Sequence, residues 1–235
     1  TAGSTGLRDP FILRKQDGTF VVLATDLKGT DWTYVSQYIH VWDSTDLRTF
    51  TGYRRMKLHD MNTHAWAPEA YWDTDLQQYV VFWASKLYAE DDPGHTGGTY
   101  NRMLYATTRD FVTFSEAKVW QDIGSSRIDS TVIKEGGSYY RFTKDEGAGT
   151  TGCSDIIQEK STSLTAVDSP GDSTWAFQEG CIGAKAGTKA VEGPSIFKAN
   201  AGDTSGSKYY LFVDEYGGRG YIPLGTDDLE NPSWK

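Results

Sequence analysis

The feature that most constrains this chain is an acid that recurs at the head of an apolar strand. Asp9 opens Asp-Pro-Phe-Ile-Leu, Glu69 opens Glu-Ala-Tyr-Trp, Asp129 opens Asp-Ser-Thr-Val-Ile and Glu192 opens Glu-Gly-Pro-Ser-Ile-Phe, at spacings of 60, 60 and 63 residues. A turn and a returning strand follow each of them: Gln16-Asp17-Gly18 before 19–25, a turn near 73–77 before 78–84, Glu135-Gly136-Gly137 before the aromatic strand that starts at Ser138, and a longer polar loop before 208–214. Apolar runs joined by Gly- and Asp-containing turns predict β-hairpins. A second segment repeats in step. Ser44-Thr-Asp-Leu-Arg-Thr-Phe50 and Thr108-Arg-Asp-Phe-Val-Thr-Phe114 share a hydroxyl-x-Asp-apolar-x-x-aromatic pattern, 226–234 is a lengthened copy, and Ser161-Thr-Ser-Leu164 is a weaker one.

Two independent signals thus share a period near 61 residues, with about four short strands per period and no convincing amphipathic helix. That combination predicts an all-β fold of propeller blades, with blade-like units near 9–60, 64–122, 127–185 and 190–235 of a single domain. The innermost strand of each blade lines the central channel. Acids 60 and 120 residues apart are therefore expected to converge on one axis, although acids at such positions also serve as turn caps that accept backbone N–H groups.

Composition narrows the partner. The net charge of −9 argues against a nucleic acid or an anionic membrane. Eight Trp and fourteen Tyr suit stacking on sugar rings as well as the filling of sheet cores. No run of 18 apolar residues is present to span a membrane as a helix. The chain starts Thr-Ala-Gly-Ser without a Met, which is the pattern of a mature or trimmed product, and secretion is the expectation. Cys153 and Cys181, 28 positions apart, are either bridged or buried free thiols.

Four motifs in order, Arg-Asp-Pro-Phe-Ile, Trp-Ala-Pro-Glu, Ile-Asp-Ser-Thr-Val-Ile and Val-Glu-Gly-Pro-Ser-Ile-Phe, resemble glycoside hydrolase family 43 over nearly the whole chain. The resemblance implies a five-bladed β-propeller that cleaves α-L-arabinofuranosyl or β-D-xylosyl linkages in plant cell-wall polysaccharides or oligosaccharides, with inversion. It implies Asp9 as general base, Glu192 as general acid, and Asp129 as the third carboxylate, which raises the acid's pKa and orients it. Glu69 stands at the Trp-Ala-Pro-acid position, which is not one of the three. The chemistry agrees with these roles: an inverting glycosidase needs one protonated and one ionised carboxyl about 6.5–9.5 Å apart, and a neighbouring carboxylate keeps the acid protonated.

Around the acids, Trp66 and His64 are candidates for a stacking platform and a hydroxyl contact, and Glu69 and Arg127 for further substrate contacts. Lys144, Asp145, Glu146, Asp214 and Glu215 end returning strands and are expected to be mostly solvated. The Gly-rich loop 88–100, with Glu90, Asp91 and Asp92, is expected to be long and flexible at a cleft rim. No metal ligand and no cofactor are assigned. Only four acid-headed units occur, so a fifth blade is expected to be incomplete, truncated or supplied by a second polypeptide. The alternatives in function are a non-catalytic carbohydrate- or protein-binding propeller, and an endo-acting arabinanase or galactanase of the same family.

Overall fold

A computed structural model describes residues 6–61, 63–147, 151–204 and 206–235. The chain divides into two compact units, residues 1–121 and 122–235, each built from two antiparallel sheets. In the first unit, β1 (Gly6–Arg14), β2 (Phe20–Leu27), β3 (Tyr38–Ser44) and β4 (Phe50–Lys57) form one sheet in chain order. Its second sheet is β5 (Trp66–Asp73), β6 (Gln78–Lys86), β7 (Asn101–Thr108) and β8 (Lys118–Gln121). The second unit repeats the plan with β9 (Arg127–Glu135), β10 (Ser138–Glu146), β11 (Ser154–Ser161) and β12 (Ala176–Glu179), followed by the one-turn helix α1 (Ile182–Lys185). Its other sheet holds β13 (Glu192–Lys198), β14 (Tyr209–Glu215) and β15 (Gly220–Thr226), three strands among the described residues.

The turns follow the chemistry read from the sequence. Gly136 and Gly137 take φ of 58° and 86° between the paired residues Glu135 and Ser138, the two positive values that a tight hairpin demands. The repeated hydroxyl-x-Asp segment is a chain-reversal device. Ser44 Oγ accepts the N–H of Leu47 at 2.9 Å, and Asp46 Oδ1 accepts those of Arg48 and Thr49 at 2.9 and 2.8 Å, while Leu47 takes φ 56°. Thr108 and Asp110 repeat it: Phe111 donates to Thr108 at 3.0 Å, Val112 and Thr113 donate to Asp110 at 2.8 Å, and Phe111 again has φ 56°. Thr226 and Asp228 form a lengthened variant: Asp228 Oδ1 accepts the N–H of Glu230 at 2.7 Å and Thr226 Oγ1 accepts that of Ser233 at 3.2 Å.

Period-2 alternation then sends one face of each sheet inward. In the first unit Val21, Leu23, Ile39 and Val41 meet Val81, Trp83, Leu104 and Ala106; in the second, Tyr140, Phe142 and Ile156 meet Ile196, Leu211 and Val213. The opposite face of the three-stranded sheet is open to solvent, with Phe197, Phe212 and Tyr221 exposed.

Cys153 and Cys181 are bridged, tying the residue before β11 to the residue before α1. Closing a loop across a separation of 28 residues restricts the unfolded chain, and loop-closure arithmetic puts that at about 3–4 kcal/mol. Replacing both cysteines by serine is therefore expected to lower the stability of the second unit by about that amount, read as a fall in the urea midpoint.

Candidate active site

The first strand of every sheet is broken by a bulge at the same place. Register shifts fall between Arg8 and Phe11, between Trp66 and Glu69, around Asp129, and between Glu192 and Ser195. At each bulge one residue adopts the left-handed conformation: Asp9 (φ 51°), Ala67 (47°), Asp129 (49°) and Gly193 (54°). An L-residue at positive φ is uncommon outside Gly, Asn and Asp, and a bulge re-aims the side chains beside it.

This register refines the four-acid repeat. Asp9 and Asp129 are structural equivalents, but the counterpart of both in the second sheet is Ala67, so Glu69 lies two residues beyond the bulge, half-buried and paired with Phe82. Glu192 stands one residue before its bulge and Gly193 occupies the left-handed position. There an added Cβ would lie 2.8 Å from Tyr221 Oη, so a side chain at this position would displace that ring, and only Gly holds the left-handed φ without strain.

In the first unit the bulges of β1 and β5 are joined by a relay. Ala67 N–H donates to Thr25 Oγ1 at 2.8 Å, and Thr25 Oγ1 donates to Asp9 Oδ2 at 2.6 Å, so a buried hydroxyl orients a solvent-exposed carboxylate. Beside it the Arg8 guanidinium lies 4.4 Å from the ring centre of Trp32, which meets Trp66 edge-on at 6.2 Å. Trp66 is backed by His64, stacked at 3.8 Å, and His64 Nε2 is engaged by Asn101 Oδ1 at 2.8 Å. The histidine predicted to touch a sugar hydroxyl is thus buried behind Trp66 and supports it. Trp32, 56% exposed, is the flat surface that sequence reasoning missed. Its signal was a large aromatic set among turn residues in Gly29-Thr-Asp-Trp-Thr.

In the second unit, Asp129 and Glu192 are brought to adjoining strands. Asp129 Oδ2 accepts the N–H of Gly193 at 3.2 Å, so the third acid holds the peptide that follows Glu192. Both carboxylates are half-buried. Arg127 corrects its expected role: its side chain is buried and pairs at 2.5 Å with Asp145, its neighbour across the β9–β10 ladder. A guanidinium out of water needs such a carboxylate, which makes this pair a part of the sheet. Lys144 and Asp145 are likewise buried instead of solvated, and so is Glu215, whose carboxylate accepts hydrogen bonds from the Arg219 guanidinium and from the backbone N–H groups of Lys189 and Arg219, which hold its pKa down at about 2. Glu146 is exposed, as expected. The 88–100 loop is held by its own contacts: Asp92 accepts the N–H groups of Thr96 and Gly97, and Tyr88 stacks on His95 at 4.2 Å. Among the described residues, no group of three or more His, Cys, Asp or Glu side chains is placed to hold a metal ion.

Comparison with known proteins shows the family and the fold. A family model described as a probable glycosyl hydrolase domain matches residues 1–235. A curated relative from Bifidobacterium longum subsp. longum, named alpha-L-arabinofuranosidase, is 38% identical over 269 residues; the match takes in 99% of this chain and only 24% of that protein. Two solved structures share the fold. The alpha-L-arabinofuranosidase from Lactobacillus brevis aligns with TM-score 0.60 at 15% identity, over 97% of this chain and 71% of that one. The GH43_1 enzyme from Xanthomonas citri complexed with xylotriose aligns with TM-score 0.64 at 12% identity, over 97% and 72%. The four blade-like sheets are accordingly those of an all-β propeller.

Burial drives the His64 imidazole down to about 4, against the weaker opposing effect of its bond to Asn101. Between pH 6.5 and about 4 the unfolded chain binds a proton here that the native chain refuses, so stability falls as pH drops through that window. His64→Phe, which keeps a ring against Trp66 and cannot be protonated, is expected to flatten this slope. Urea unfolding at pH 7 and pH 4.5 measures it, and an equal pH dependence in both proteins would contradict the assignment.

Proposed function

The chain belongs to the family of probable glycosyl hydrolase domains related to glycoside hydrolase family 43, and on that premise we propose that it hydrolyses α-L-arabinofuranosyl or β-D-xylosyl linkages with inversion at the anomeric carbon. The observation that carries the reading is the bond between Asp129 and the Gly193 peptide, which joins two of the three acidic motifs in one unit. In the proposed reaction water attacks the anomeric carbon while Asp9 takes its proton, and Glu192 gives its own proton to the departing glycosidic oxygen. Asp129 orients the Glu192–Gly193 peptide and, by its negative charge, favours the protonated form of Glu192. Trp32 and Trp66 offer flat apolar surface beside Asp9 for a sugar ring.

An α-L-arabinofuranoside is the favoured substrate, on the name of the 38% identical relative, and a xyloside is the second. The chain spans 24% of that relative's length. The exposed Phe197, Phe212 and Tyr221 face is suited to packing against a further sheet, the fifth blade that the family resemblance implies. The Cys153–Cys181 bridge supports action outside the cell, where disulfides persist.

Glu192→Gln and Asp9→Asn are each expected to lower kcat on an aryl α-L-arabinofuranoside by about 10²–10⁴-fold while the fold survives. Proton NMR of the wild-type reaction should show the product anomer opposite in configuration to the substrate. Near wild-type turnover by either variant, or retention of configuration, would remove the assignment.

A further inference from the structure

The stripe Tyr140, Phe142, Lys144 alternates along β10 on the face that packs into the second unit's core. Its last position should be apolar by pattern, and it holds a lysine only 2% exposed. Long cationic side chains are almost never fully buried without a partner that warrants it. Here the ammonium donates to Val191 carbonyl oxygen at 2.7 Å and to Ser154 Oγ at 2.8 Å, and lies 5.4 Å from the ring centre of Tyr216.

Val191 immediately precedes Glu192. Lys144 therefore grips the peptide on one side of Glu192, while Asp129 grips the N–H of Gly193 on the other. The two gripping groups carry opposite charge. The segment is held further back by Asp155, which accepts the N–H groups of Gly183 and Ala184, and by the Cys153–Cys181 bridge.

We propose that Lys144 is a positioning residue for Glu192: it fixes the backbone that carries the carboxyl, and its charge opposes that of Asp129, setting the pH range in which Glu192 keeps its proton. This rests on the reading of Glu192 as the acid. The groups facing the ammonium are Asp129 from β9, Glu146 on its own strand, Asp155 from β11, Glu192 from β13 and Tyr216 beyond β14. Those facing Glu192 across its sheet are Asp214 on β14 and then Tyr221 on β15. Burial pushes the Lys144 ammonium toward losing its proton, and the four carboxylates, Glu192 foremost, oppose that.

Two variants separate the backbone bond from the charge. Lys144→Gln keeps an N–H donor and drops the charge; Lys144→Arg keeps the charge. With the cation gone, a carboxyl nearby holds its proton to higher pH, by about one unit. The alkaline limb of kcat/KM against pH should thus move up by about one unit in Lys144→Gln and stay near wild type in Lys144→Arg, with kcat lowered more than KM is raised. A carbon-13 titration of the Glu192 carboxyl in wild type and both variants gives the same shift without turnover. Unchanged limbs and an unchanged Glu192 titration in folded Lys144→Gln would overturn the proposal, as would equal behaviour of the two variants. A shifted titration in a protein that hydrolyses no glycoside would leave Lys144 coupled to Glu192 and remove the functional reading instead.

Discussion

A β-strand that holds one residue at positive φ interrupts its ladder, and the proposed site of this protein lies at such interruptions. Every inner strand carries one, at Asp9, Ala67, Asp129 and Gly193. The left-handed turn is disfavoured for L-residues by about 1–2 kcal/mol, so it persists only where neighbouring bonds over-determine it. Those bonds are visible. Thr25 links the bulges of β1 and β5 through its hydroxyl, and Asp129 links those of β9 and β13 through its carboxylate. The same contacts that hold the backbone in an unusual conformation also aim the acids. Orientation and strain therefore have one origin.

The second unit shows how charge is managed around such a site. Arg127 faces Asp145, and Arg141 faces Glu159 with Asp168 behind, each as a cross-strand pair inside the sheet. Buried ions cost several kcal/mol each unless they are paired, and here each guanidinium is paired with a carboxylate. Lys144 differs because it bonds neutral oxygens, of Val191 and Ser154, with carboxylates further off. Its charge is left free to act on the groups around it, Glu192 first among them.

Much of this was legible in the chain. The 60-residue recurrence of acid-headed strands reports blades, and the hydroxyl-x-Asp repeat reports the turns that close them, since a side-chain oxygen three residues before a reversal caps N–H groups wherever it occurs. What escaped was register. Glu69 aligns with Asp9 by count, yet the bulge falls at Ala67, because a one-residue insertion in a ladder is decided by cross-strand pairing. Burial escaped for the same reason. Lys144, Asp145, Glu215 and Arg127 look like strand-end charges in one dimension, and only the neighbouring strands make them interior.

By itself the sequence determined the class of fold, the repeat, the placing of Asp9, Asp129 and Glu192 in the first strand of a sheet, and the turn chemistry, all of which follow from local periodicity and from short-range side-chain to backbone bonds; of the three acids only Glu192 heads its strand, Asp9 and Asp129 lying at bulges inside theirs. The tertiary structure alone decided which side chain grips which peptide. Asp129 and Gly193 are 64 residues apart and Lys144 and Val191 are 47 apart, and no local rule couples residues at such distances. Their meeting is a property of packed sheets, in which a strand's partner is chosen by fit across the core.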